Sequence, residues 1–166
     1  MVFLDVSKAF DKVWHEGLIF KLKTFGIGGN LLKWLESYLQ NRRQRVVING
    51  HCSSWLYIEA GVPQGSILGP LLFLIYINDI VNGILCNIRL FADDTSLMKV
   101  ITNSLADFAA INADLNKLLD WAHKWLVCFS AIKTVYMIFS RKKNKQVHPQ
   151  LFLGDTALKQ VDSHTH

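Results

Sequence analysis

Three carboxylates stand where apolar, strand-like runs end. Asp5 closes Val2-Phe3-Leu4, and Asp93-Asp94 falls at a tight turn between Ile88 to Phe91 and Ser96 to Ile101. Brought together, such side chains repel one another, and the arrangement costs free energy unless a cation fills it. Mg²⁺ prefers oxygen ligands, a few carboxylates and the phosphates of a substrate. Two such ions about 4 Å apart can activate an attacking 3′-hydroxyl and stabilise a departing pyrophosphate. Taken singly, an Asp after a strand is ordinarily a turn former, and Asp-Asp at a hairpin is ordinarily solvated. The ordered set carries more weight. Phe3-Leu4-Asp5-Val6-Ser7-Lys8-Ala9-Phe10-Asp11, then Gly61-Val62-Pro63-Gln64-Gly65-Ser66 with Leu68-Gly69-Pro70, then Phe91-Ala92-Asp93-Asp94 follow one another along the chain.

Elements must hold these segments. Helical spacing from Trp14 to Phe25 (Leu18, Ile19, Leu22, Phe25) ends at Gly26. Asn30 offers an N-cap for a second helix, with Leu31, Leu32, Leu35, Tyr38 and Leu39 on one stripe. Two β-like runs, 45–48 and 55–59, meet across Asn49-Gly50, a turn-favouring pair. Two glycines and a proline make 61–66 a loop. An apolar helix from about Leu68 to Val81 follows; the longest apolar stretch, Ile67 to Ile77, is too short to span a bilayer, which needs roughly 20 apolar residues, and is expected to be a buried helix. Ser104-Leu105-Ala106-Asp107 has the form of a capping box. It opens the longest helix, whose apolar positions are Leu105, Phe108, Ile111, Leu115, Leu118, Ala122 and Trp125. Thr134 to Phe139 reads as a further strand, and Gly154-Asp155 as the turn of a hairpin-like tail. This order predicts an α+β fold: a mainly antiparallel sheet with helices packed on one face. The stretch 2–139 contains the elements of a ferredoxin-like split βαβ if 45–59 is an insertion.

At 166 residues the chain suits one packed domain rather than two with separate cores. Its 51% hydrophobic content is high for a surface made only for water, which suits a piece of a larger protein. The net charge of +5 is compatible with a polyanionic partner without establishing one. Cys52, Cys86 and Cys128 show no zinc-ligand spacing, and are expected to be reduced core thiols of an intracellular protein, cytoplasmic or nuclear. No signal-peptide core is visible, and no membrane partner is expected.

The three quoted segments resemble motifs A, B and C of reverse transcriptases, specifically those of non-LTR (LINE-like, jockey-type) retrotransposons. The run Asp-x-x-x-Ala-Phe-Asp-x-Val-x-His beginning at Asp5, residues 61–70 and Phe-Ala-Asp-Asp ending at Asp94 are highly specific together. The resemblance runs essentially end to end. It implies a polymerase palm: RNA-directed DNA synthesis by two-metal nucleotidyl transfer on an RNA template, a DNA primer and dNTPs. Asp5 and Asp93 match the principal ligands of two Mg²⁺ ions (Mn²⁺ as an alternative), with the Val6 carbonyl a further ligand and Asp94 the third carboxylate. Phe10 matches the aromatic residue beneath the sugar, where a ring would clash with a ribose 2′-hydroxyl. The resemblance implies that it selects dNTPs over rNTPs, an ordinary core Phe at that junction being the alternative.

Gln64 and Gly65 match the loop that lies against the incoming nucleotide and the template base. Lys133 matches the motif D lysine that helps neutralise or protonate the leaving pyrophosphate, although Ser130 stands where the family usually has Asn. Arg42, Arg43 and Arg45, and separately Arg141, Lys142, Lys143 and Lys145, are basic clusters expected either to track phosphates or merely to be solvated. By the same resemblance, residues 1–166 form a single palm fragment. The fingers and thumb would lie in other segments of a parent polyprotein, and the isolated fragment is expected to be inactive. The alternatives are a truncated, catalytically inert retrotransposon remnant and a nucleic-acid-binding module with incidental aspartates. A pure phosphate-binding surface gains nothing from clustered negative charge.

Overall fold

The computed structural model describes residues 1–141 and 147–163. In chain order its elements are β1 (Val2–Leu4), α1 (His15–Thr24), α2 (Gly29–Leu39), β2 (Arg43–Gln44), β3 (Val47–Ile48), β4 (His51–Cys52), β5 (Leu56–Tyr57) and α3 (Leu68–Ile77). There follow β6 (Asn87–Phe91), β7 (Asp94–Met98), α4 (Ser104–Lys124), β8 (Val135–Tyr136), β9 (Phe152–Leu153), β10 (Thr156–Ala157) and β11 (Lys159–Gln160). The chain divides into two compact units, Met1–Ser7 with Asp79–His166, and Lys8–Asn78.

The first unit is built on a five-stranded sheet ordered β11-β8-β1-β7-β6, antiparallel except where β11 joins β8. The mixed α+β class with mainly antiparallel pairing is as expected. Alternation along β1 buries Val2 and Leu4, which lie opposite Leu97 and Thr95 of β7, so this face belongs to the core. From α4, Phe108, Ile111, Leu115, Leu118 and Ala122 add a stripe at three-and-four spacing. The capping box lies one residue earlier than expected. Asn103 is the N-cap and accepts from the Ala106 N–H, while Asp107 Oδ2 reaches back to the N–H groups of Thr102 and Asn103. Leu105 consequently falls in the first turn and is 75% exposed, not in the core stripe. The run 134–139 forms a ladder only at Val135–Tyr136, and the tail hairpin turns at Gly154-Asp155 as expected.

In the second unit α1 packs against α2 and α3. A backbone at Gly26 with φ of +82° ends α1 where the glycine predicted, but the N-cap of α2 is Gly28 rather than Asn30, and Leu31 is exposed. Lys21 is buried: its Nζ donates to the Tyr76 carbonyl near the end of α3 and sits 5.0 Å from that ring. A cation at a helix C-terminus complements the carbonyl charge there. Helix α3 buries Leu72, Phe73, Tyr76 and Ile77 but leaves Leu71 and Leu74 about half exposed, so it is buried on one side only. The two runs around Asn49-Gly50 form shorter ladders than predicted, β3 with β4 across a two-residue turn and β2 with β5 below it. Of the cysteines, only Cys86 is a core thiol. Cys52 and Cys128 are exposed.

Candidate active site

In the first unit strand pairing and one loop bring charged side chains together. Leu4 lies opposite Thr95, and Phe3 opposite Val135. Continuing the β1–β7 ladder by a step sets Asp5 beside Asp94, while on its other side the Asp5 backbone bonds to Ser130 and Thr134, which flank the turn that carries Lys133. Asp5 and Asp94 then point away from the face that buries Leu4 and Thr95, because side chains alternate along a strand. Lys133 Nζ lies 3.8 Å from Asp5 Oδ2. That oxygen is shut off from water and has no hydrogen-bond partner, although the Asp5 side chain as a whole is partly exposed. A carboxylate oxygen left without a donor beside a second carboxylate suits a cation.

The loop carrying Lys133 is tied to this strand. The Ser130 N–H donates to the Asp5 carbonyl, the Asp5 N–H to Thr134 Oγ1, and the N–H groups of Lys133 and Thr134 to the Ser130 carbonyl. Ser130 Oγ also accepts from the Lys133 N–H at 3.4 Å, so Ser supports the loop where Asn is usual. Val6 is buried and bridges Phe129.

Asp93 and Asp94 occupy different local structures. Phe91 pairs with Asp94, so the turn consists of Ala92 and Asp93 alone, and Asp94 is the first residue of β7. Ala92 sits at φ +52°, a left-handed conformation that costs an L-residue about 1–2 kcal/mol. Strain of this kind gathers at functional turns. Among the described residues, no group of three or more His, Cys, Asp or Glu side chains converges enough to hold a metal alone. Mg²⁺ bound through one or two carboxylates and substrate phosphates does not need such a cage. Asp5 and Asp94, on neighbouring strands, supply carboxylate oxygens of the kind that Mg²⁺ takes, which is as far as the donor set fits the ion.

In the second unit, the segment after Asp5 is zipped to the Gly61–Ser66 loop. The Gly61 N–H donates to the Val13 carbonyl and the Val62 N–H to the Phe10 carbonyl, and His15 Nε2 meets the Gly61 carbonyl at 2.7 Å. Gly61 is required twice over: φ is +93°, and an added Cβ would lie 2.8 Å from the Asp11 backbone. Gly65, at φ +76°, faces open space. Gln64 Nε2 donates to Asp11 Oδ1 at 2.8 Å, which fixes the amide and leaves its oxygen as acceptor. Lys8, Asp11, Lys12, Arg42 and Gln64 line one open cavity of about 570 Å³. Phe10 is half-buried and stacks on Phe73 with ring centroids 4.7 Å apart.

Arg43 and Arg45 lie apart from that cavity's lining, on the exposed β2–β5 ribbon. In the other basic cluster, Lys142, Lys143 and Lys145 lie outside the described residues. Sequence reasoning missed Asp11 and His15 as positioning residues. Both belong to the Asp-x-x-x-Ala-Phe-Asp-x-Val-x-His run, whose spacing was the available signal.

Comparison with known proteins identifies the family. A family model described as reverse transcriptase (RNA-dependent DNA polymerase) matches residues 1–157. The RNA-directed DNA polymerase from mobile element jockey of Drosophila funebris is 35% identical over 146 residues, covering 83% of this chain and 16% of that protein. The probable RNA-directed DNA polymerase from transposon BS of Drosophila melanogaster is 31% identical, covering 96% of the chain and 18% of its own length. The Pol polyprotein from the type-1 retrotransposable element R2 of Popillia japonica is 31% identical over 66% of the chain and 21% of its length. The chain therefore spans about a sixth to a fifth of the curated relatives it matches. It belongs to the reverse transcriptase family, in the branch carried by non-LTR retrotransposons.

Proposed function

We propose that this chain is the palm of an RNA-directed DNA polymerase, extending a DNA primer on an RNA template by nucleotidyl transfer. The observation that carries the reading is the row Lys133–Asp5–Asp94, with the donorless Asp5 Oδ2 and with Asp93 in the adjoining turn. The strand order β8-β1-β7-β6, antiparallel throughout, supports a ferredoxin-like palm. On this reading both compact units are parts of one palm fragment, residues 1–166.

Asp5 and Asp93 would hold two Mg²⁺ ions (or Mn²⁺), with Asp94 and the Val6 carbonyl assisting. Bound there, the ions supply Lewis acidity for the attacking 3′-hydroxyl and charge neutralisation for the departing pyrophosphate. Lys133 holds the Asp5 carboxylate and presents its ammonium as a charge partner and proton donor for the leaving group. Gln64, its amide held by Asp11, and Gly65 present a polar edge and close backbone to the incoming nucleotide. The Phe10 ring, backed by Phe73, lies beneath its sugar and excludes a 2′-hydroxyl. Arg42, Arg43 and Arg45 contact nucleic-acid phosphates. RNA template, DNA primer and dNTPs are the substrates, and the fingers and thumb segments of a parent polyprotein are the partners.

Primer extension on an RNA template with Mg²⁺ tests the proposal, using the 166-residue chain and a chain with its flanking segments restored. We expect extension from the longer chain, and a loss of about 100-fold or more in Asp93→Ala, the scale seen when a group stabilising transition-state charge is removed. Extension by Asp93→Ala at the wild-type rate would reject the carboxylate site. Phe10→Val should admit rNTPs, and unchanged discrimination would reject the gate.

A further inference from the structure

The exposed ribbon formed by β2 and β5 carries a pattern that the carboxylate site does not use. Arg43 lies opposite Tyr57 and Gln44 opposite Leu56. One further step sets Arg45 opposite Trp55, so Arg43, Tyr57, Arg45 and Trp55 share one face. The contacts agree: the Arg43 guanidinium lies 5.7 Å from the Tyr57 ring and 5.9 Å from the Trp55 ring, and that of Arg45 lies 4.6 Å from Trp55. Both rings are more than half exposed. Large aromatic side chains held in water by cations, with Leu56 turned to the other face, do not serve a core.

We propose that this face is a stacking platform for an unpaired nucleic-acid strand, independent of the carboxylate row. It deepens the phosphate-contact role given to Arg43 and Arg45 and rests on that part of the functional reading. Bases stack on exposed aromatic rings whatever their sequence, and interleaved guanidiniums meet the phosphates between them. Residues two apart on a strand are about 6.7 Å apart, roughly twice the 3.4 Å repeat of stacked bases. Trp55 and Tyr57 therefore suit bases drawn apart along an extended strand, and not neighbours locked in a duplex. An acidic peptide would satisfy the guanidiniums but has no planar groups for the rings, which favours nucleic acid.

Fluorescence anisotropy of the 166-residue chain tests this, with labelled oligo(U), oligo(dT) and a blunt duplex of equal length, in EDTA and at two salt concentrations. Both single strands should bind more tightly than the duplex, and the affinity should fall with salt. Trp55→Ala and Tyr57→Ala should each weaken single-strand binding by roughly tenfold. Trp55→Phe should retain most of it, and Leu56→Ala, on the opposite face, should change it little. Equal affinity for duplex and single strand, or wild-type binding by the Trp55→Ala/Tyr57→Ala double variant, would overturn the platform. Displacement of the oligonucleotide by poly-glutamate at equal charge would overturn it in favour of an acidic protein partner. The assay contains no divalent metal or primer, so its failure would leave the polymerase proposal intact, and failed extension would leave this result intact.

Discussion

Replacing Asp114 should loosen the strand that delivers the catalytic turn, and the structure sets the size of the effect. Asp114 is fully buried within α4. Its Oδ2 accepts from the N–H groups of Leu85 at 2.9 Å and Cys86 at 2.7 Å, and its Oδ1 meets Lys117 Nζ at 2.9 Å. Those two N–H groups belong to the turn that feeds β6, whose far end carries Phe91 and the Ala92-Asp93 turn. Asp114→Ala orphans a buried donor at Cys86, costing about 2 kcal/mol, and a part-buried donor at Leu85, costing about 1 kcal/mol. The Lys117 pair, whose lysine is largely solvated, adds at most about 0.5 kcal/mol. The total, about 3 kcal/mol, is a large share of a typical folding free energy. Asp114→Asn behaves differently, because both backbone bonds end on one oxygen. Its carbonyl can accept both, and the loss is confined to an amide facing the Lys117 ammonium, about 1 kcal/mol.

Urea unfolding of the 166-residue chain measures both variants. A loss under 1 kcal/mol in Asp114→Ala, or equal losses in the two, would refute the argument. The pH dependence adds a second check. Burial pushes the Asp114 pKa up, but hydrogen bonds from Lys117, Cys86 and Leu85 outweigh it and hold the carboxyl below its ordinary 3.8. A depressed folded pKa gives stability that is complete above 3.8 and lost as pH falls through the lower folded value. The gap between wild type and Asp114→Asn should therefore narrow on the acid side of 3.8 and hold steady at neutral pH.

Ala92→Gly removes the left-handed strain of about 1–2 kcal/mol and adds unfolded-chain entropy worth about 0.4–1 kcal/mol, for a net gain of roughly 0.5–1 kcal/mol. The same urea assay reads it, and a net loss would mean that the Ala92 methyl packs productively. Thiol labelling near neutral pH should modify Cys52 and Cys128 in the native protein and Cys86 only after unfolding. Burial, reinforced by Asp114, pushes the Cys86 thiol up to about 12. Rapid native labelling of all three would contradict the burial of Cys86.

What the sequence determined by itself is local. The end of β1 at Asp5, the Asn49-Gly50 turn, the helix stop at Gly26 and the stripe of α4 follow from residue types at short spacing, because side-chain period and turn chemistry are properties of neighbouring residues. The same holds for the quoted motifs, which disclosed the family. Tertiary structure decided what depends on pairing between distant segments. Asp5 comes beside Asp94 only because β1 pairs with β7, and it meets Lys133 only because the loop before β8 is bonded to its backbone. Nothing local in Lys133-Thr134 marks that lysine as the partner of a carboxylate near the opposite end of the chain. Gln64 likewise reads as a polar loop residue until Asp11 takes its amide. The capping residue of α4 lies one residue earlier than the sequence suggests and β7 starts two residues earlier, at Asp94 rather than Ser96, since hydrogen-bond register, unlike composition, is settled by the partner strand or the helix end. The carboxylates were legible as types, and the sheet made them a row.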